Sequence, residues 1–388
     1  MEISTCVKYV GVNDHQVDLF EGQYKVPNGM SYNSYVILDE KIAVMDTVDG
    51  FFTEEWLNNV EQVLSGKTPD YLVIQHMEPD HSASIPAFLK KYPKATVVST
   101  AKGFQFMEQF FPEFFAGQGL PAEQRIVAAN DGVLELGQHS LHFVYAPMVH
   151  WPEVMMTYEA TEKILFAADG FGKFGALDVE EEWANEARRY YIGIVGKYGP
   201  QVQAVLKKAA GLDIQTICSL HGPVLKENLG FYLEKYDKWS SYQPEESGVV
   251  IAYASVYGNT RNAAEYLADV LHEKGQKTVL YDLARCDKAK AVADAFRYDR
   301  LVLAGITYNG DLFPCMRSFI EGLTERNYQN RKVAIIENGT WAPMAGKLIL
   351  GMFEKSKNLT FTETKVSIKS AMNAQNKEEI GKLAEELS

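Results

Sequence analysis

The sequence predicts two halves that both combine helices with sheets: a first half of α+β character, with short strands covered by a few helices, and a second half of α/β character, a doubly wound parallel sheet. Three observations carry this prediction. Short β-branched runs recur through the first half with few helical patterns between them. Beyond residue 248, strand patterns and helical patterns alternate strictly. Between the two lies Tyr242-Gln243-Pro244-Glu245-Glu246-Ser247-Gly248, polar and turn-rich, which divides the chain into domains 1–246 and 247–388.

In the first half, strands are expected at 34–38, 42–45, 71–75, 95–99, 141–146, 164–168 and 214–218. Helical periodicity covers 53–64 and a long stretch from about 179 to 210, charged on one side and carrying Trp183, Tyr190, Ile194 and Val195 for burial. In the second half, strands are expected at 249–254, 277–280, 300–305, 332–337 and 360–366, with helices between them. Five strands at that spacing fit a sheet of flavodoxin type.

Composition narrows the function. With 46% hydrophobic and 23% charged residues the chain is an ordinary globular protein, not a disordered one. A formal net charge of −13 argues against a broad nucleic-acid footprint. No apolar run of about 20 residues is present, and Met1 to Cys6 lacks signal-peptide character, so no membrane association and a cytoplasmic location are expected. Cys6, Cys218, Cys286 and Cys315 form no C-x-x-C pair, which speaks against disulfide scaffolding, a zinc ribbon or a rubredoxin-type centre. Each cysteine is expected to be a small buried apolar residue, leaving histidine and carboxylate to hold any metal.

Such ligands crowd together in His76-Met77-Glu78-Pro79-Asp80-His81, directly after the predicted strand 71–75. A solvated polar loop accounts for the acidic residues but not for two histidines at this spacing. The segment resembles the H-x-H-x-D-H ligand loop of the metallo-β-lactamase fold, with Glu78 in place of the second histidine. A carboxylate there adds a hard anionic oxygen and shifts preference from zinc toward iron or manganese. His150, Asp169 and His221 each follow a predicted strand and complete a binuclear set. His76, Glu78 and His150 can hold one metal, Asp80, His81 and His221 the other, with the two oxygens of Asp169 as the bridge. His15, His139, His142 and His272 lack this context and are read as structural or exposed.

In the second half, Ser255-Val256-Tyr257-Gly258-Asn259-Thr260 joins the first strand to a helix, offering hydroxyls, backbone amides and a helix N-terminus to a phosphate. The segment is not G-x-G-x-x-G and carries no Walker lysine, so a mononucleotide fits better than a dinucleotide or a nucleoside triphosphate. Thr307-Tyr308-Asn309-Gly310 and Asn338-Gly339-Thr340-Trp341-Ala342 leave later strands on the same sheet edge, with aromatic rings able to flank a flat ligand. Flavin mononucleotide (FMN) is the best reading of the three loops together.

The combination resembles the flavodiiron proteins, also called A-type flavoproteins, over essentially residues 1 to 388, including Tyr32-Asn33-Ser34-Tyr35. The resemblance implies a metallo-β-lactamase-like αββα sandwich with two irons, fused to a flavodoxin-like FMN domain. It implies reduction of dioxygen to water, of nitric oxide to nitrous oxide, or both, and a head-to-tail homodimer or dimer of dimers that sets the FMN of one chain beside the metals of the other. Trp341 would then lie between flavin and metal. Residues 366–388 hold one helical pattern and no cysteine, so no built-in rubredoxin domain is expected. The electron donor would be a separate rubredoxin-type protein or a reduced deazaflavin coenzyme. Trp151, Tyr158, Tyr190 and Tyr191 are read as core rather than catalytic. A zinc hydrolase with a regulatory flavodoxin-like half is the alternative, and Glu78 argues against it.

Overall fold

Strands Tyr35–Ile37, Ala43–Met45 and Tyr71–Val73 are buried at every residue, as strands covered on both faces must be. In the computed structural model, which describes residues 3–115 and 120–388, they are central to a six-stranded sheet. Its order is Val7–Tyr9, Tyr35–Ile37, Ala43–Met45, Tyr71–Val73, Thr96–Ser99, Arg125–Val127, and the last four run parallel. Met1 and Glu2, which open the segment without signal-peptide character, lie outside the described residues. A second, five-stranded sheet contains Val133–Glu135, Ser140–Tyr145, Met155–Glu159, Ile164–Phe166 and Thr216–Cys218.

The two sheets face each other. Ile37, Met45 and Val73 from one meet Phe143, Met155 and Phe166 from the other in a single apolar cluster. Helix Thr53–Leu64 buries Trp56, Val60 and Leu64, spaced four apart on one face. This is the helix-covered sheet arrangement expected for the first half.

Strand directions bring four loops to one end. Ser140–Tyr145 and Ile164–Phe166 are both antiparallel to Met155–Glu159 and therefore run the same way, and Thr216–Cys218 is parallel to Ile164–Phe166. Their carboxyl ends lead into His150, Asp169 and His221, while Tyr71–Val73 leads into His76.

In the second half the parallel order is Thr278–Asp282, Glu246–Tyr253, Tyr298–Tyr308, Arg331–Asn338, then Leu359–Phe361 and Val366–Ile368. Val249, Ile251, Val302 and Ile336 pack with helices Asn259–Glu273 and Ala374–Glu386 through Ala263, Leu267, Ile380 and Leu383. The alternate residues Val250, Leu301, Leu303 and Val333 are buried as well, so both faces are covered, as a doubly wound sheet requires.

The chain forms two compact units, Met1–Tyr191 with Pro200–Glu234, and Ile192–Gly199 with Lys235–Ser388. Three expectations need correction. The stretch 179–210 is not one helix: Trp183–Tyr190 passes into a π-helical turn at Tyr191–Val195 and a 3-10 turn at Gly196–Tyr198 before Gly199–Ala209 resumes. Pro200 has no N–H to continue the ladder, and a side chain at Gly199 would meet Ser240 O at 2.4 Å. The expected strand 360–366 is two short strands, both paired with Arg331–Asn338. Several short strands were also not foreseen, Met155–Glu159 among them, because Met-Met-Thr-Tyr-Glu is all buried and does not alternate. Of the cysteines only Cys218 is buried; Cys6, Cys286 and Cys315 are half-buried.

Candidate metal centre and mononucleotide cleft

Past Val73 the chain turns at Gln75 and His76 because the buried carboxylate of Asp46 accepts from Gln75 N at 2.7 Å and from Gln75 Nε2 at 2.9 Å. Pro79 then starts a one-turn helix, Pro79–Ser82, that carries Asp80 and His81. Two further groups set the histidine rings. Glu153 Oε1 accepts from His76 Nδ1 at 2.8 Å, and the Ser31 carbonyl accepts from His221 Nδ1 at 2.7 Å. A carboxylate and a carbonyl can only accept, so both rings turn Nε2 inward.

All seven predicted ligands meet there, in two groups: His76, Glu78, His150 and Asp169, and Asp80, His81 and His221. His76 Nε2 and His150 Nε2 are 3.3 Å apart, and Glu78 Oε2 lies 3.2 and 3.0 Å from them. His81 Nε2 and His221 Nε2 are 3.0 Å apart, with Asp80 Oδ2 3.3 Å from each. Asp169 spans both groups: Oδ2 is 3.3 Å from His76 and 3.1 Å from His150, while Oδ1 is 3.4 Å from His81 and 3.8 Å from His221.

This arrangement suits metal ions and little else. Both carboxylate oxygens of Asp80 and of Asp169 are buried without a hydrogen-bond partner, although ring nitrogens stand within ion-pair distance. Paired imidazole nitrogens pointing at one another are poor mutual partners but good joint ligands, since ligand atoms around one metal sit at about this separation. Without metal, the surrounding carboxylates favour a proton on His76 and His150 instead. Burial works against a charge on His76, but Asp169 outweighs it and holds the ring well above its ordinary range. His150 is pushed up to about 9, again against burial, by the neighbouring carboxylates of Asp169 and Glu78. Asp169, despite its burial, is held well below the carboxylate range by His76 and its neighbours.

In the second unit a cleft of about 770 Å³ opens at the carboxyl edge of the sheet. Ser255, Val256, Tyr257, Asn259, Thr260, Thr307, Tyr308, Asn309, Gly310 and the whole Asn338 to Ala342 loop line it. Gly258 does not line it but precedes helix Asn259–Glu273 at φ 90, with no side-chain cap on the helix N-terminus. Those uncapped amides are what a phosphate would use. Tyr257 is 92% and Trp341 82% exposed at the cleft, large rings without cover. Asn309 and Gly310 form a two-residue hairpin turn, with Thr307 paired to Leu312 and Tyr308 to Asp311. Asn338 is fixed from both ends: its Nδ2 donates to Ser370 O at 2.8 Å and its Oδ1 accepts from Ser370 N at 3.0 Å.

Comparison with known proteins matches both halves. Residues 30–222 fit the model of the ODP family beta lactamase and residues 250–363 that of a flavodoxin domain. The anaerobic nitric oxide reductase flavorubredoxin of Vibrio vulnificus is 28% identical over 88% of this chain and 70% of its own length. The rubredoxin oxygen:oxidoreductase of Desulfovibrio gigas shares the fold, with a TM-score of 0.91 over 99% of this chain and 96% of that one at 24% identity. The flavodiiron protein from Giardia intestinalis superimposes with a TM-score of 0.91 at 26% identity, covering 100% of this chain and 95% of that one. The chain belongs to the flavodiiron proteins.

In this flavodiiron protein, sequence reasoning missed the residues that hold ligands and loops in place. Asp46, Glu153 and Ser31 orient the metal-facing histidines, and Ile306, Met344 and Ser370 also line the cleft. Glu153, three residues after His150, was the one with a signal: a carboxylate that close to a candidate ligand is a reasonable orienting group.

Proposed function

We propose that this chain is an oxidoreductase that reduces dioxygen to water, nitric oxide to nitrous oxide, or both, with electrons supplied by an external donor. The observation that carries the proposal is the convergence of His76, Glu78 and His150 on one side of Asp169, and Asp80, His81 and His221 on the other. In this reading the first three hold one iron, the second three hold the other, and Asp169 joins them. The cleft lined by Ser255, Thr260, Tyr308 and Trp341 holds FMN. When bound, FMN and two irons supply stored electrons and open coordination positions at which a diatomic molecule can be reduced.

The chain's own residues set the conditions. Glu153 keeps a proton on His76 Nδ1 and so leaves Nε2 free to ligate. Tyr32 and Phe20 pack edge-on against His221, and Trp151 against His76, walling the site with apolar rings that exclude water. The exposed Trp341 supports a head-to-tail homodimer, or a dimer of dimers, in which this ring bridges one chain's flavin and its partner's metals. The proposed donor is a separate rubredoxin-type protein or a reduced deazaflavin coenzyme, and the proposed location is the cytoplasm. Among the described residues no helix is long and apolar enough to cross a membrane. As functional modules, residues 1–246 bind metal and residues 247–388 bind flavin, a division supported by family matches that fall on either side of it.

The test is steady-state consumption of each gas with a saturating artificial donor, wild type against Asp169→Ala. Wild-type turnover of at least one gas, lost in the variant, supports the proposal; equal rates in the two proteins would refute it.

A further inference from the structure

A third cluster of metal-type ligands lies at the other end of the β-sandwich. Cys6, His139 and Glu162 each offer a donor atom, and the three atoms lie within 4.8 Å of one another. Cys6 immediately precedes the edge strand Val7–Tyr9. His139 sits in the hairpin between Val133–Glu135 and Ser140–Tyr145, and Glu162 in the turn between Met155–Glu159 and Ile164–Phe166. Ser140–Tyr145 and Ile164–Phe166 carry His150 and Asp169 beyond their carboxyl ends, so His139 and Glu162 stand before their amino ends, the width of the sheet away.

We propose that Cys6, His139 and Glu162 bind a divalent transition metal, zinc by the chemistry of the donor set, at a site distinct from the seven-ligand centre.

The histidine is built as a ligand. Asp39 Oδ2 accepts from both the backbone N and Nδ1 of His139, at 2.7 and 2.8 Å, and Leu38 N donates to Cys6 O at 2.9 Å, so the strand end carrying Asp39 is tied to Cys6. A carboxylate on one ring nitrogen leaves the other to coordinate, the usual orienting arrangement at metal-bound histidines. His139 is only 5% exposed, yet its Nε2 stands 4.0 Å from Glu162 Oε1, beyond hydrogen-bond reach. Glu162 Oε2 is itself buried with no partner.

That spacing fits an ion better than an ion pair. Ligand atoms around tetrahedral zinc stand about 3.3–3.7 Å apart, as bond lengths of about 2.0–2.3 Å require. Rotation of the half-exposed Glu162 side chain would close the difference. The turns bearing the ligands are already held, since Thr161 Oγ1 donates to Gln138 O at 2.8 Å and Glu162 N to Glu159 Oε2 at 2.7 Å. Mixed sulfur, nitrogen and oxygen donors suit zinc, and a solvent molecule would fill the fourth position. Binding releases the Cys6 thiol proton to solvent and involves no electron transfer. The ion would pin the amino-terminal strand of one sheet to two hairpins of the other.

The test uses the full-length, iron-loaded, FMN-containing protein, equilibrated with zinc and freed of unbound metal by gel filtration. Elemental analysis is expected to find one zinc per chain with iron and flavin unchanged. Cys6→Ser and His139→Gln should lose that zinc and keep iron and FMN, and Asp39→Asn should bind it about 10–100-fold more weakly. Cobalt gives a second readout: its thiolate charge-transfer absorption should appear in the wild type and be absent in Cys6→Ser, because the seven-ligand centre contains no sulfur. Equal zinc retention by wild type and Cys6→Ser, zinc entering only as iron leaves, or no retained zinc in the wild type would each overturn the proposal.

Discussion

His76 presents Nε2 to the centre because Glu153 occupies its Nδ1, and this residue-scale arrangement has a measurable consequence. Replacing Glu153 by Gln keeps the shape but removes an obligate acceptor, so iron affinity should fall about 10–100-fold, read by competition with a chelator. Unchanged iron retention would mean that the hydrogen bond does not orient the ligand. Asp169 acts on both groups at once, and Asp169→Ala should strip both irons while FMN stays bound, measured as metal and flavin per chain. The seven candidate ligands were legible because histidines and carboxylates rarely crowd a strand end without a reason. Glu153 and Asp46 were less so. A single carboxylate after a strand is usually a solvated turn residue, and only tertiary contact reveals that these two are buried at 2% and 0% exposure beneath the ligand loop.

Among the secondary-structure elements, strand ends matter more to function than strand interiors. The long strands of the second unit were legible because they carry apolar runs with punctual turns, whereas Val7–Tyr9 and Val133–Glu135 each carry a charged residue, Lys8 and Glu135, and form no continuous apolar run. The hidden breaks in 179–210 have the same origin, since helical periodicity survives a π turn and a 3-10 turn that only shift its phase. Gly258 shows how an element end serves the cleft. Its φ of 90 lies in the left-handed region, and a Cβ there would meet nothing nearer than Arg261 Nη2 at 3.9 Å. The penalty for Gly258→Ala is therefore backbone strain, about 1–2 kcal/mol, and thermal unfolding together with FMN titration should show lower stability and weaker flavin binding. Strand Glu246–Tyr253 begins with a carboxylate between Lys277 and Arg297. Burial opposes its charge, but these two cations hold its pKa below the ordinary glutamate value. A lowered folded-state pKa stabilises above the unfolded value and loses that contribution as pH falls. Wild type should thus melt higher than Glu246→Gln at pH 7, with the gap narrowing as pH falls below about 4.3, the unfolded glutamate value, and vanishing only once pH passes the lower folded-state pKa.

At the scale of the whole molecule, the chain carries a formal net charge of −13, which should repel anionic and attract cationic electron donors. Reduction of the flavin by a cationic mediator should slow as salt is added, and reduction by an anionic one should quicken, in stopped-flow traces of flavin bleaching. The two-part architecture was legible because each half has its own strand rhythm and its own ligand chemistry. The identity of the donor was not, since a docking surface needs no sequence motif. The central claim is that the seven-ligand centre is a redox site rather than a hydrolytic one. Its most direct test is to reduce the protein anaerobically, once loaded with iron and once with zinc, and to mix each with dioxygen and with nitric oxide while following flavin reoxidation and the gas consumed. Rapid reoxidation by at least one gas is expected in the iron form, and slow, flavin-only reoxidation in the zinc form. Equal rates in the two forms, or hydrolytic turnover by the zinc form, would contradict the claim.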